Sequence, residues 1–241
     1  MKGVQESWLR QSRAEYRAAS RIAELTHWLI TLGVRPDLLV RATRVLGDKV
    51  RHATLSRELY LHAGGSSDPV GLPSKQLIHA DDVGAPVAFR ALSAAGELAC
   101  EESVSLAVFR LRQENARDPV ARELCEGILR DGALHRVFAW ELMDELLRLH
   151  GTAAVRAWVR PRLAGWLRRS LVAAPPPDQP GYSAEELAFG LMDRQPQWQA
   201  MQQALADDVL PHFRERDLLE AAATPTLLLA ELAQQRATRR G

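Results

Sequence analysis

Residues 48–59 read Asp-Lys-Val-Arg-His-Ala-Thr-Leu-Ser-Arg-Glu-Leu, and residues 131–142 read Asp-Gly-Ala-Leu-His-Arg-Val-Phe-Ala-Trp-Glu-Leu. Both segments follow the pattern Asp-x3-His-x5-Glu-Leu. Each also has a glutamate upstream: Glu15 precedes His52 by 37 residues, and Glu97 precedes His135 by 38. A motif repeated together with its distant glutamate, with a slip of one residue, predicts two similar hairpins related by a pseudo-twofold.

The surroundings of these segments are helical. Apolar residues recur with a period near 3.6, and the alternation expected of strands is almost absent. A first helix is expected over about 6–32, ending at Gly33, and a second from Pro36 to about Leu61, ending at Gly64-Gly65. Proline near the start and glycine past the end are the usual punctuation of a helix. An irregular stretch from Gly64 to about Ala85 carries Pro69, Pro73 and Gly84. Two further helices are expected over about 87–115 and from Asp118-Pro119 to His150-Gly151. Two short connections and one long one describe two helical hairpins joined by a crossover, an all-α four-helix bundle over residues 1–150. A basic fifth helix (151–174), a proline-rich linker (175–182) and a C-terminal helical appendage (183–241) follow.

Stepping by sevens, nearly two helical turns, places each motif residue on an apolar stripe. The series are Trp8, Glu15, Ile22, Leu29; Leu38, Val45, His52, Leu59; Glu97, Val104, Leu111; and Ile128, His135, Leu142, Leu149. Four ionisable groups thus interrupt four core-facing stripes. Buried charge is costly unless it is paired, hydrogen-bonded or bound to a metal, so Glu15, His52, Glu97 and His135 are the candidate metal-site residues.

This spacing resembles the ferritin-like superfamily, in particular bacterial ferritin-like domain proteins, over about Trp8 to His150. In that family a glutamate lies on the first and third helices and Asp-Glu-x-x-His on the second and fourth. The resemblance implies that Glu15, His52, Glu97 and His135 occupy ligand positions, with Asp48 and Asp131 orienting the opposite histidines. Both bridging glutamate positions are altered: one is Lys49, the other Gly132. Two negative charges are lost and one positive gained, and each close charge contact in an interior is worth about 4 kcal/mol. A conventional di-iron or di-manganese centre is therefore disfavoured. Three arrangements stay open. Lys49 neutralises Glu15 and Glu97 in a metal-free network; a single iron or manganese ion sits on two histidines and one or two carboxylates; or Asp48 or Asp131 swings inward to rebuild a dinuclear site.

Other signals carry less. Glu24-Leu25-Thr26-His27 has the Glu-x-x-His spacing of bundle metal ligands, but Glu24 falls opposite Glu15 on the helix. Glu101 lies near the Glu97 face and is expected to support the site, whereas Glu102 points elsewhere. Cys100 reads as a small buried hydrophobe. His62, His79, His150 and His212 lie at helix ends or in loops without a companion at ligand spacing. The fifth helix carries Arg156, Arg160, Arg162, Arg168 and Arg169 around Trp158 and Trp166, the pattern of an amphipathic helix docking its tryptophans, with a kink at Pro161.

The bulk properties bound the reading. The 241 residues are 46% hydrophobic and 25% charged, enough for a core that folds without metal or disulfide. A net charge of +1 gives no footprint for nucleic acid. No signal peptide or membrane span is expected, and two isolated cysteines suit a reducing cytoplasm. The expected function is that of a binding or accessory protein, working with a protein partner or as a homodimer, on a bundle with a remodelled metal site. The alternative is an iron- or manganese-dependent oxidase or oxygenase that activates oxygen or peroxide at the Glu/His site.

Overall fold

The glycine and proline punctuation sets the helix boundaries closely. In the computed structural model, which describes residues 1–68, 71–73, 77, 84–171 and 181–219, α1 spans Lys2–Leu32 and α2 Pro36–His62. Gly33 ends α1 in the left-handed conformation, φ 63°, which a side chain would strain. Next come α3 (Val87–Asn115) and α4 (Pro119–His150). Asp118 caps α4, its side chain accepting from the Ala121 N–H at 2.9 Å, while Pro119 occupies the first turn, where no N–H is missed. α5 (Thr152–Leu171) runs through Pro161 as one helix. The later elements are α6 (Ala184–Ala188), α7 (Arg194–Ala204), a π-helical turn (Leu205–Val209) and α8 (Leu210–Glu215). The described residues contain no strand, and no helix among them is long and apolar enough to cross a membrane.

The fold is an all-α bundle. α1 pairs with α2 and α3 with α4, and the two hairpins meet through α1 against α3 and α2 against α4. In three of the four expected stripes the apolar members Trp8, Ile22 and Leu29, then Leu38, Val45 and Leu59, then Ile128 and Leu142 are buried. The fourth helix breaks its pattern only at its last turn, where Leu149 is exposed.

α3 is different, because it is covered on nearly every side. α1 and α4 flank it, and α5 and α7 pack on its outer face. Gly96 permits the close approach of α5: a Cβ there would lie 2.3 Å from the Trp166 ring. The C-terminal segment belongs to the same core, with Met201, Leu205, Val209 and Phe213 buried among residues of α3, α4 and α5. Half of the crossover, including His79, the expected linker up to residue 180 and the tail from residue 220 lie outside the described residues.

Candidate functional site: a lysine between two buried glutamates

Lys49 projects from α2 into the bundle and is 6% exposed. Its Nζ lies 2.6 Å from Glu102 Oε1 on α3 and 3.3 Å from Glu15 Oε2 on α1. Both carboxylates are buried as well, and Glu15 Oε1 also accepts from Gln11 Nε2 at 2.7 Å. Burial alone would strip the proton from the lysine. The charges of Glu102 and Glu15 outweigh it and hold the ammonium well above its ordinary range. Burial likewise opposes ionisation of Glu102, yet the Lys49 charge takes its carboxyl down to about 2. The core therefore holds a buried carboxylate–ammonium–carboxylate bridge that ties three helices together.

Around the bridge lie two histidine–aspartate pairs, each crossing between hairpins. His52 Nε2 is 3.0 Å from Asp131 Oδ2, and His135 Nε2 is 3.0 Å from Asp48 Oδ2. Arg51 joins the pairs from outside, donating through Nη2 to Asp48 Oδ1 at 2.7 Å and to Asp131 Oδ2 at 2.6 Å. The imidazole centroids are 6.0 Å apart. With an aspartate accepting at Nε2, that nitrogen carries the hydrogen and Nδ1 faces inward. Among the described residues neither Nδ1 has a hydrogen-bond partner, although His135 Nδ1 is 3.6 Å from Glu102 Oε2. The two rings differ electrostatically. Burial, with Lys49 and His135 nearby, pushes His52 below its ordinary value, whereas at His135 the Glu102 carboxylate overcomes burial and raises it.

The expectations for α3 are corrected. Glu97 does not join Glu15, His52 and His135. It faces α1 and α5, where it accepts from Arg169 and, at 3.3 Å, from Arg21 Nη1. Burial raises its carboxyl even though Arg169 and Arg21 oppose that shift. Glu101 shares this side, bound twice by Arg21 at 2.8 and 2.5 Å, so it supports Glu97 and not the core site. The α3 residue in the site is Glu102, which sequence reasoning aimed elsewhere. Five residues on an α-helix amount to a turn of about 140° relative to Glu97, enough to change the neighbouring helix. Lys49 accordingly neutralises Glu15 and Glu102 in place of Glu15 and Glu97. A signal for Glu102 was available in its own series, Ala95, Glu102, Phe109, every member of which is buried.

The remaining candidates are ordinary surface or core groups. Glu24 accepts from Arg90 Nη2 at 3.0 Å, and His27 is exposed. Cys100 is buried, its thiol pushed well up by burial.

The donor set does not fit a pair of metal ions. An ammonium already lies between the two glutamates. At position 132 there is no carboxylate, and a Cβ would sit 3.3 Å from Glu102 Oε2 and 3.2 Å from Leu106 Cδ2. Among the described residues no three His, Cys, Asp or Glu side chains are grouped so as to hold a metal ion. Compared with known proteins, the chain matches no family model and no curated protein sequence.

Proposed function

We propose that this chain is a ferritin-like bundle in which a lysine has taken the place of the metal cations, and that it serves as a binding or accessory protein and not as a redox catalyst. The observation that carries this reading is the position of Lys49 Nζ between Glu15 and Glu102. One fixed positive charge compensates the carboxylates, so the core keeps its polar constellation without a bound ion. The paired histidines and aspartates then serve as cross-braces between hairpins. A bundle stabilised in this way offers its outer surface to a protein partner or a second copy.

A second reading, an oxidase working at one iron or manganese ion, draws on the two inward Nδ1 atoms, which have no hydrogen-bond partner among the described residues. It requires the Lys49 side chain to leave the core. Elemental analysis of protein expressed with iron and manganese supplied separates the two. The accessory reading expects a metal content near zero, and one or more ions per chain would overturn it. Lys49→Glu is the companion experiment: adding a carboxylate beside Glu15, His52 and Glu102 is expected to create iron or manganese binding that the parent chain lacks.

A further inference from the structure

Arg112 is a second cation that reaches into the interior, its Nε and Nη1 buried, and its surroundings are unlike those of Lys49. It lies in the last turn of α3 within the smaller apolar cluster of the bundle, beside Trp8, Phe109 and Cys125. Its guanidinium carbon is 4.9 Å from the centroid of the Trp8 ring and 5.1 Å from that of Phe109. Nη2 donates to Ser7 Oγ at 3.3 Å. Nε and Nη1 are buried and have no hydrogen-bond partner among the described residues. Among the described residues, the titratable groups near enough to act on the guanidinium are Cys125, Tyr182 and Arg10, and none of these is a carboxylate.

The contrast within the molecule is direct. Arg21 has Glu97 and Glu101, and Lys49 has Glu15 and Glu102. Arg112 has two aromatic rings and one hydroxyl. Ring faces attract a cation, but they do not accept the N–H groups that lie in the guanidinium plane. A buried charge with open donors is destabilising unless an acceptor arrives. A planar set of N–H donors without a carboxylate is the arrangement that takes an oxyanion.

The neighbours suit the same ligand. Gly3, Ser7 and Arg10 lie four and three residues apart, on one face of α1. Tyr182 packs against that face: a Cβ on Gly3 would lie 3.2 Å from its ring. Arg10 is exposed and Arg112 half-buried, so the cluster opens at its rim. We propose that Arg112, with Arg10, Ser7 and Tyr182 about it, binds a compact oxyanion, the phosphate or carboxylate group of a small molecule, where α1 and α3 meet the segment leading into α6. This site is independent of the Lys49 reading.

The test uses the full chain, titrated with inorganic phosphate or acetate against sodium chloride at matched ionic strength. Melting temperature and, for phosphate, 31P line width are followed. Phosphate or acetate is expected to raise the melting temperature more than chloride does. Arg112→Met is expected to remove that increment and to weaken binding about tenfold or more, the loss of one charge-assisted hydrogen-bond contact. Without added anion, Arg112→Met should be at least as stable as the parent. A response to phosphate alone assigns a phosphate group, to acetate alone a carboxylate, and to both a general oxyanion site. No increment over chloride, or an equal increment in Arg112→Met, would overturn the proposal. Should Arg112→Met not fold, Arg10→Gln at the rim decides with the same readouts: weakened phosphate broadening supports the site, and unchanged broadening overturns it.

Discussion

Removing the Lys49 ammonium would leave Glu15 and Glu102 as buried carboxylates without a counter-ion, and this asymmetry governs the residue-scale predictions. Breaking a buried ion pair from one side costs about 3–5 kcal/mol, whereas replacing all its members with apolar or neutral groups is often close to neutral. Lys49→Met is therefore expected to lose about 3–5 kcal/mol in urea unfolding, and the triple variant Glu15→Gln, Lys49→Met, Glu102→Gln to recover much of it. The same bridge sets a pH dependence. Glu102 is depressed to about 2 in the folded chain, against about 4.3 for an unfolded glutamate. A depressed carboxyl adds stability that is complete above the unfolded value and lost as pH falls through the folded one. Wild type should thus lose roughly 3 kcal/mol between about pH 5 and pH 2 from this residue. Glu102→Gln should be less stable than wild type at pH 7 by a similar amount, and the gap should close by pH 2. A constant gap across that window would mean that Glu102 is not ionised in the core.

Among the elements, α3 shows what close packing does to an amphipathic reading. Gly96 faces Trp166 of α5, and a Cβ would lie 2.3 Å from that ring. Gly47 on α2 is exposed, and a Cβ there would meet nothing within 4 Å among the described residues beyond its own helix. Alanine improves helix propensity by about 1 kcal/mol at either position, while overpacking costs about 1–3 kcal/mol. Gly47→Ala is accordingly expected to raise the melting temperature and Gly96→Ala to lower it, readable in parallel thermal melts. The same packing explains the misplaced glutamate. For α1, α2 and α4 one face is apolar and buried, so stepping by sevens found Glu15, His52 and His135 on the inward side. On α3 the residues from Ala91 to Cys100 are all buried, whether they face the core, α1 or α5. Periodicity cannot separate inward from outward on such a helix, because both are covered. Helix boundaries were more legible, since Gly33, Pro36, Asp118-Pro119 and Gly151 act through local backbone chemistry and not through neighbours.

For the whole molecule, the C-terminal segment decides how much of the chain is one folding unit. The sequence announces helices after residue 182, but it does not say where they dock, because docking depends on which bundle surface lacks a cover. Trp140 on α4 supplies part of the answer, with His212 at 4.7 Å and Phe213 at 5.1 Å between ring centroids. Asp144 accepts from Arg216 at 2.7 and 2.9 Å, and Arg136 pairs with Asp208. At the opposite end the Trp8 indole N–H donates to the Phe189 carbonyl at 3.2 Å, and the Arg117 and Asp118 N–H groups share the Ala188 carbonyl. Met201, Leu205, Val209, Leu210, Phe213 and Leu218 are all at most 1% exposed. Burying each such side chain contributes about 1.5–3 kcal/mol, so together they rival the 5–15 kcal/mol net stability of an ordinary domain. A chain ending at residue 180 should therefore expose Trp8, Trp140 and Trp166, bind a hydrophobic dye and melt at a lower temperature or aggregate. If it instead melted like the full chain with its tryptophan emission unchanged, the segment would be a separate appendage and α1–α5 a self-sufficient bundle.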